Sequence, residues 1–122
     1  HDFAAFQAAG SSVRTTIRTL LHVTVSPPAS GLWSSVNGVG ETVTTIEVRG
    51  TGFLRHMVRI LVGTLVEVGQ GTRDRESVAR ALGVATRDAA GQTAPPRGLF
   101  LVQVEYHGPA SETRRSGTAS NP

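Results

Sequence analysis

The sequence of this 122-residue chain is marked first by what it lacks. It has no cysteine, which excludes disulfide bonds, thiolate zinc sites and a cysteine nucleophile. It has no lysine, so all twelve basic residues are arginine. Its longest apolar stretch, Phe53 to Val68, contains charged side chains and falls short of the ~18–20 apolar residues that span a bilayer. The sequence therefore excludes a transmembrane helix.

The composition is that of a single globular domain. Hydrophobic residues make up 39% and charged residues 17% of the chain, and its length fits one domain of typical size. Nine acidic residues leave a net charge of +3, which is a weak indication of a polyanionic partner such as nucleic acid. The four histidines show no i, i+4 pair, so we expect no metal site and no metal cofactor.

The chain opens on His-Asp-Phe, without an initiator methionine or the basic, apolar and small-residue regions of a signal peptide. We expect it to be cut from a longer protein. The absence of cysteine is compatible with a reducing cytoplasm, where we expect the protein to work.

Hydrophobic periodicity predicts an α+β domain with strands and helices in separate blocks and an antiparallel sheet. A helical N-terminal segment comes first, then a long strand with buried odd positions, a tight turn at Asn37-Gly38 and a return strand. An amphipathic helix, a second helix, a loop, a last strand and a polar, disordered tail follow. The predicted ranges are 1–9, Val13–Val25, Thr42–Arg49, Phe53–Val68, Asp74–Leu82, 84–97, Leu99–Tyr106 and 108–122.

Arg59 lies in the middle of the predicted amphipathic helix, where propensity and the apolar stripe both favour another residue. It shares the side opposite Met57 and Leu61 with Gly63 and with apolar valines, so we expect that side to meet other protein or a ligand cleft. Its planar guanidinium suits a carboxylate or a phosphate. From the residues alone, an ion pair with one of the nine acids or a snorkelling side chain is favoured over a ligand-binding role.

Basic residues alternate along one face of the predicted first strand. Arg14, Arg18 and His22 share that face, and Arg49 joins them from the return strand. Such a face suits a phosphate backbone, but an ordinary solvated sheet face explains the same pattern equally well. By spacing alone the chain shows no catalytic constellation.

Three segments of the sequence are distinctive when their order and spacing are taken together. They are HDFAAFQ followed by TTIRTL, then GTGFLRHMVRILVGTLVEVG, then TAPPRGLFLVQVEY. From His1 to about Tyr106 they closely resemble the C-terminal half of the bacterial tRNA pseudouridine synthase A family. The resemblance implies a domain at residues 1–107 that is a ferredoxin-like half of that fold, with an antiparallel sheet packed by helices on one face.

The resemblance further implies an enzyme that isomerises uridine to pseudouridine in the anticodon stem-loop of tRNA, at tRNA positions 38–40, without a cofactor or metal. Two ferredoxin-like halves then share one sheet, with the active cleft between them. The essential aspartate of the family lies in an Arg-(Thr/Ser)-Asp-x-Gly-Val-His segment of the N-terminal half, which this sequence does not contain. We therefore expect this chain alone to be inactive, and Asp2 does not replace the missing aspartate.

The family's site residues carry over only where this sequence matches the family's motifs. Arg59 matches the arginine that ion-pairs the catalytic aspartate, and Leu99 matches an apolar residue that lines the pocket beneath the base. We expect the same substrate pocket to include Met57 and Phe53, which with Phe100 pack the cleft wall or the core behind it. The residues expected to contact RNA are Arg55, Arg14 and Arg18.

The expected partners are the anticodon arm of tRNA, the protein's own N-terminal half and, in a homodimer, a second copy of the enzyme; a membrane is not among them. Two alternatives stay open. In the first, the chain is a standalone, non-catalytic RNA-binding module. In the second, it is a small α+β interaction domain whose exposed half-sheet pairs with another chain. Salt-dependent tRNA affinity without the other half favours the first, and tight self-association without tRNA binding favours the second.

Overall fold

The fold is described by a computed structural model for residues 1–27 and 43–106. Its elements are a 3-10 turn at Ala4–Phe6, strands β1 (Leu20–Ser26) and β2 (Thr45–Gly50), helices α1 (Met57–Gly69) and α2 (Ser77–Val84), and 3-10 turns at Arg87–Ala89 and Pro96–Gly98. β1 and β2 pair antiparallel, and with the two helices they make an α+β arrangement consistent with a ferredoxin-like half. The predicted fold class is confirmed.

The core lies between helix α1, helix α2 and the N-terminal turn. Apolar side chains at three- and four-residue spacing place Met57, Ile60 and Leu61 on the buried side of α1. Ala81 is a buried apolar residue of α2. In the described part of the chain, the other buried apolar residues are Phe3, Ala5, Phe6, Leu54 and Ala90. The sequence predicts one apolar stripe that runs from Phe53 through Met57 and Leu61; Met57 and Leu61 are buried, but Phe53 is 43% exposed.

The N-terminal segment forms one short turn instead of the helix predicted at 1–9. Its main chain pairs with the segment that precedes β1. Asp2 forms an isolated bridge with Ile17, and the Phe3 amide donates a hydrogen bond to the Thr16 carbonyl at 2.9 Å. These bonds give the main chain of the N-terminal segment partners in the segment that precedes β1.

Asp2 also ties this segment down through its side chain. Its Oδ1 accepts hydrogen bonds from the Thr16 hydroxyl and the Ala4 amide, and these bonds, the Thr16 bond foremost, lower the pKa of Asp2 below its ordinary value of 3.8. Because the folded pKa is the lower one, the stabilisation is present above the unfolded pKa and is lost as the pH falls through the folded pKa.

We therefore expect Asp2→Asn to weaken the dependence of the free energy of unfolding on pH in the acid range. The free energy of unfolding of the unaltered chain should fall more steeply between pH 5 and the acid limit than that of the variant, since only the unaltered chain has this carboxylate to protonate. Urea denaturation at a series of pH values measures the two slopes. Parallel profiles would show that the Asp2 carboxylate contributes nothing to folding.

The first strand is shorter than predicted, and its apolar side chains are largely exposed. β1 begins at Leu20 instead of Val13, and a bulge between Leu20 and His22 shifts its alternation. Val23 and Val25, predicted to face the core, are 44% and 57% exposed. Alternating apolar residues predict a strand with one apolar face, but they do not show whether another element of the fold packs against that face.

Both helices begin later than predicted. α1 begins at Met57 instead of Phe53, because His56 has a φ of 60°, a left-handed conformation that a right-handed helix does not contain. α2 is likewise displaced toward the C-terminus and ends before Ala85, whose φ is also 60°. Gly83, predicted to follow the second helix, therefore lies inside it.

The prediction of a last strand at Leu99–Tyr106 is wrong: the described residues form no ladder with it. Large apolar side chains of this segment are exposed, from 50% at Val104 to 81% at Leu101. An ion pair between Arg49 and Glu105, with 3.5 Å between nitrogen and oxygen, is its link to β2. A strand forms when the N–H and C=O groups of its main chain hydrogen-bond to a neighbouring strand. The sequence of a single segment does not show whether that neighbour is present.

The return strand is confirmed as β2, which ends at Gly50. The turn predicted at Asn37-Gly38 and the tail predicted at 108–122 lie outside the described residues. Among the helices of the described ranges, none has the length and apolar character needed to cross a membrane.

Candidate functional site

Arg59 is held in place by one residue of the loop that follows α2. Its Nε donates a hydrogen bond to the Ala94 carbonyl oxygen at 2.9 Å, and the Ala94 amide donates to the Arg59 carbonyl at 3.0 Å. The side chain is half-buried. Within residues 1–27 and 43–106 no carboxylate lies at ion-pair distance from its guanidinium. The intramolecular ion pair favoured from the residues alone is therefore not found in this part of the chain.

The loop of residues 90–94, here termed the seated loop, packs directly on α1. A β-carbon at Gly63 would overlap the Gln92 carbonyl oxygen and would lie 3.1 Å from the Ala94 amide nitrogen. The main chain of the seated loop thus touches the helix at a position where only glycine leaves room. At Arg59 and Gly63 this side of the helix therefore meets another part of the same chain, whereas Val66, predicted on the same side, is 44% exposed.

Two further contacts fasten the seated loop. The buried Thr64 hydroxyl accepts a hydrogen bond from the Gly91 amide at 2.9 Å. Glu67 forms an ion pair with Arg73 at 3.0 Å, and Arg73 also donates to the Ala90 carbonyl at 3.3 Å. The loop is therefore attached to α1 over more than one turn of the helix, from Arg59 at one end to Glu67 at the other.

Thr64, Glu67 and Arg73 were not predicted as fastening residues from the sequence. Gly63 gave the one local signal, because glycine is unfavourable relative to alanine in the interior of a helix. Glu67 and Arg73 are ordinary charged residues in the sequence, and no spacing rule predicts that they meet across a helix end.

The apolar residues assigned to the site lie at different depths. Met57 is in the core, 1% exposed, and its Sδ accepts a hydrogen bond from the Leu54 amide at 3.5 Å. It therefore occupies the core behind a surface and not the surface itself. Phe53 and Leu99 are 43% and 51% exposed. Their roles in a substrate pocket stay predictions.

The arginines assigned to RNA contacts lie outside the two strands and differ in exposure. Arg14 and Arg55 are exposed, whereas Arg18 is half-buried and its Nη1 donates to two carbonyls of its own segment, both at 2.8 Å. His22 lies opposite Arg49 in the β1–β2 ladder, as predicted, but Arg14 and Arg18 precede β1. The RNA contacts of these arginines stay predictions.

The arrangement at Arg59 suits an anion. Its Nε is occupied by Ala94, which leaves the two Nη nitrogens as parallel donors for a carboxylate or a phosphate. Among the described residues there is no group of three histidine, aspartate or glutamate side chains that could hold a metal ion.

Comparison with known proteins connects this site to one family. A family model described as tRNA pseudouridine synthase matches residues 1–107. Proteins named tRNA pseudouridine synthase A from Shouchella clausii, Geotalea daltonii and Geotalea uraniireducens are 42%, 45% and 46% identical to this chain over 120, 106 and 106 residues. The matches cover 98%, 87% and 87% of this chain but 41%, 38% and 38% of the relatives. The chain thus spans about two fifths of the length of these relatives.

Proposed function

Since this chain belongs to the tRNA pseudouridine synthase family, a family of isomerases, we propose that it supplies one wall of a synthase active-site cleft and the arginine that pairs the catalytic aspartate. The aspartate comes from another part of the enzyme. The observation that carries the proposal is Arg59, whose half-buried guanidinium is anchored through Nε and has no carboxylate partner in the described residues.

Arg59 acts on the aspartate in two ways. Its fixed positive charge favours the ionised carboxylate and so lowers the pKa of that group. Its two Nη donors bind both carboxylate oxygens and fix their orientation. An ionised carboxylate in a fixed direction is what attack on the substrate requires. Because the family's aspartate motif is not in this sequence, the chain by itself isomerises no uridine.

The substrate is the anticodon stem-loop of tRNA, and the working enzyme is a cytoplasmic homodimer. The net charge of +3 supports a polyanionic substrate, with Arg55, Arg14 and Arg18 as the RNA contacts. The exposed apolar side chains of β1 and of residues 99–106 support burial against the rest of the enzyme. Leu99, at the start of that segment, and Phe53 line the pocket for the base.

A hybrid enzyme tests the proposal. In it this chain replaces the matching segment of the Geotalea uraniireducens relative, to which it is 46% identical. We expect the hybrid to form pseudouridine in an unmodified tRNA transcript and the chain alone to form none, as measured by chromatography of the digested nucleosides. The relative without its matching segment is the control, and it should also form none.

Two outcomes would contradict this assignment. Pseudouridine formation by the chain alone would show that it carries its own catalytic carboxylate. A folded hybrid that binds tRNA but leaves every uridine unchanged would favour the standalone RNA-binding module instead.

A further inference from the structure

An arginine can orient a carboxylate only if its own guanidinium is held in a fixed direction. The arginine side chain has several rotatable bonds and loses rotamer entropy when it is held, so attachment at the helix alone leaves the guanidinium free to swing. We propose that the seated loop, residues 90–94, is the positioning element of Arg59, and that Gly63 and Thr64 are the residues that seat it. This inference rests on the proposed function and adds to it the element that aims Arg59.

The two hydrogen bonds between Arg59 and Ala94 make the attachment specific. One joins the side-chain Nε to the Ala94 carbonyl and the other joins the Ala94 amide to the Arg59 carbonyl. Because both bonds link the same two residues, the loop cannot slide along α1 without breaking both. The direction of the guanidinium therefore follows the position of the loop main chain.

The Ala94 bond also selects how Arg59 binds a carboxylate. A guanidinium can offer Nε with one Nη, or both Nη nitrogens, as a pair of parallel donors. Since Nε already donates to Ala94, the pair that remains is Nη1 with Nη2. The carboxylate consequently approaches along the long axis of the side chain, beyond its tip.

Gly63 determines how closely the seated loop approaches. It follows Arg59 by four residues, which is about one helical turn and hence the same side of α1. The loop main chain at Gln92 lies where a β-carbon would be, and the Gly91 amide is bonded to the next helix residue, Thr64. The loop thus runs antiparallel to the helix, with Gly91 at Thr64 and Ala94 at Arg59.

Substitution of Gly63 by alanine forces the loop main chain away from α1. We expect Gly63→Ala to separate Ala94 from Arg59 and to lower the kcat of the hybrid enzyme about a hundredfold, the size of effect that a displacement of about 1 Å produces at a catalytic group. The KM for tRNA should stay unchanged. The acid limb of the kcat profile should move to higher pH, since a misdirected arginine no longer favours the ionised aspartate.

Gly69→Ala is the matched control. Gly69 lies on the same helix, and a β-carbon there would meet nothing within 4 Å. The same chemical change should therefore leave kcat within about twofold, because an alanine in an exposed helical position is tolerated.

A direct reading comes from the Arg59 Nε–H proton in the isolated chain, observed by nuclear magnetic resonance with nitrogen-labelled arginine. In the unaltered chain and in Gly69→Ala we expect this proton to be protected from solvent exchange by its bond to Ala94. In Gly63→Ala we expect the protection to be lost while far-ultraviolet circular dichroism shows that the chain is still folded. If Gly63 contributed only to stability, Gly63→Ala would leave this protection in place in the folded chain.

A second pair of variants keeps the proposal testable where Gly63→Ala does not fold. Thr64→Val keeps the shape of the side chain but removes the acceptor of the Gly91 amide, whereas Thr64→Ser keeps the hydroxyl. We expect Thr64→Val to lose both the Nε–H protection and most of the turnover, and Thr64→Ser to retain most of each.

Failure of this inference differs from failure of the proposed function. Loss of turnover in Arg59→Ala, together with full turnover and full Nε–H protection in Gly63→Ala and Thr64→Val, would overturn the positioning role alone. Unchanged turnover in Arg59→Ala would overturn the proposed function, whatever the loop variants do.

Discussion

Substitution of Arg59 by alanine in the hybrid enzyme is expected to lower turnover by at least about a hundredfold, while the affinity for tRNA stays within a few-fold. Loss of one preorganised group that stabilises charge at a reacting centre typically has an effect of about a hundred- to a thousandfold. Without Arg59, the catalytic aspartate loses the charge that lowers its pKa and the two donors that fix its orientation. Affinity changes little because many phosphate contacts contribute to it.

Two variants separate the local role of Arg59 from its charge. Arg59→Lys keeps the charge but loses both the planar fork and the Nε that donates to Ala94, so we expect turnover to stay at least about tenfold low. Arg75→Ala removes the same charge from an exposed position and should leave turnover within about twofold. If Arg59→Ala and Arg75→Ala reduced turnover equally, a net-charge effect would explain both and the pairing role would be wrong.

Substitution of Phe6 by alanine is expected to have the largest effect on folding. Phe6 is fully buried, and its ring meets the Phe3 ring edge-on with 6.0 Å between centroids. Removal of a buried phenylalanine side chain costs about 3–5 kcal/mol, and small domains are stable by only about 5–15 kcal/mol. We therefore expect Phe6→Ala to lose at least about a fifth of the free energy of unfolding.

Phe53→Ala is the control for this prediction. Phe53 is 43% exposed, so its removal should cost about 1 kcal/mol or less. Urea denaturation followed by circular dichroism gives both values, provided that the dependence on denaturant is the same in each variant. An equal loss of stability in the two variants would show that the N-terminal turn is not part of the core.

The helices were predictable from the sequence because they bury their apolar side chains at helical spacing. Their starts were not, since the beginning of α1 depends on the left-handed backbone of His56, which no periodicity records. The strand at Leu99–Tyr106 failed for the opposite reason. Its residues alternate from Val102 to Tyr106, but a strand depends on a neighbouring strand to pair with, and neither β1 nor β2 forms a ladder with this segment in the described part of the chain.

The candidate site was likewise predictable from the sequence only in part. Arg59 stood out in the sequence because a charge within an apolar helix is a local anomaly, and local anomalies are visible in a single sequence. Its contact was invisible, because Ala94 lies 35 residues away and binds Arg59 through main-chain atoms that carry no sequence signal. Only Gly63 marked the place where the loop would come to lie.

A crystal structure of the hybrid enzyme would show directly which atoms surround the Arg59 guanidinium. We expect that Nε still donates to the Ala94 carbonyl and that a single carboxylate, contributed by the relative's segment, lies about 2.7–2.9 Å from the two Nη nitrogens. A guanidinium that faces solvent, or that binds an RNA phosphate while the carboxylate lies elsewhere, would contradict it.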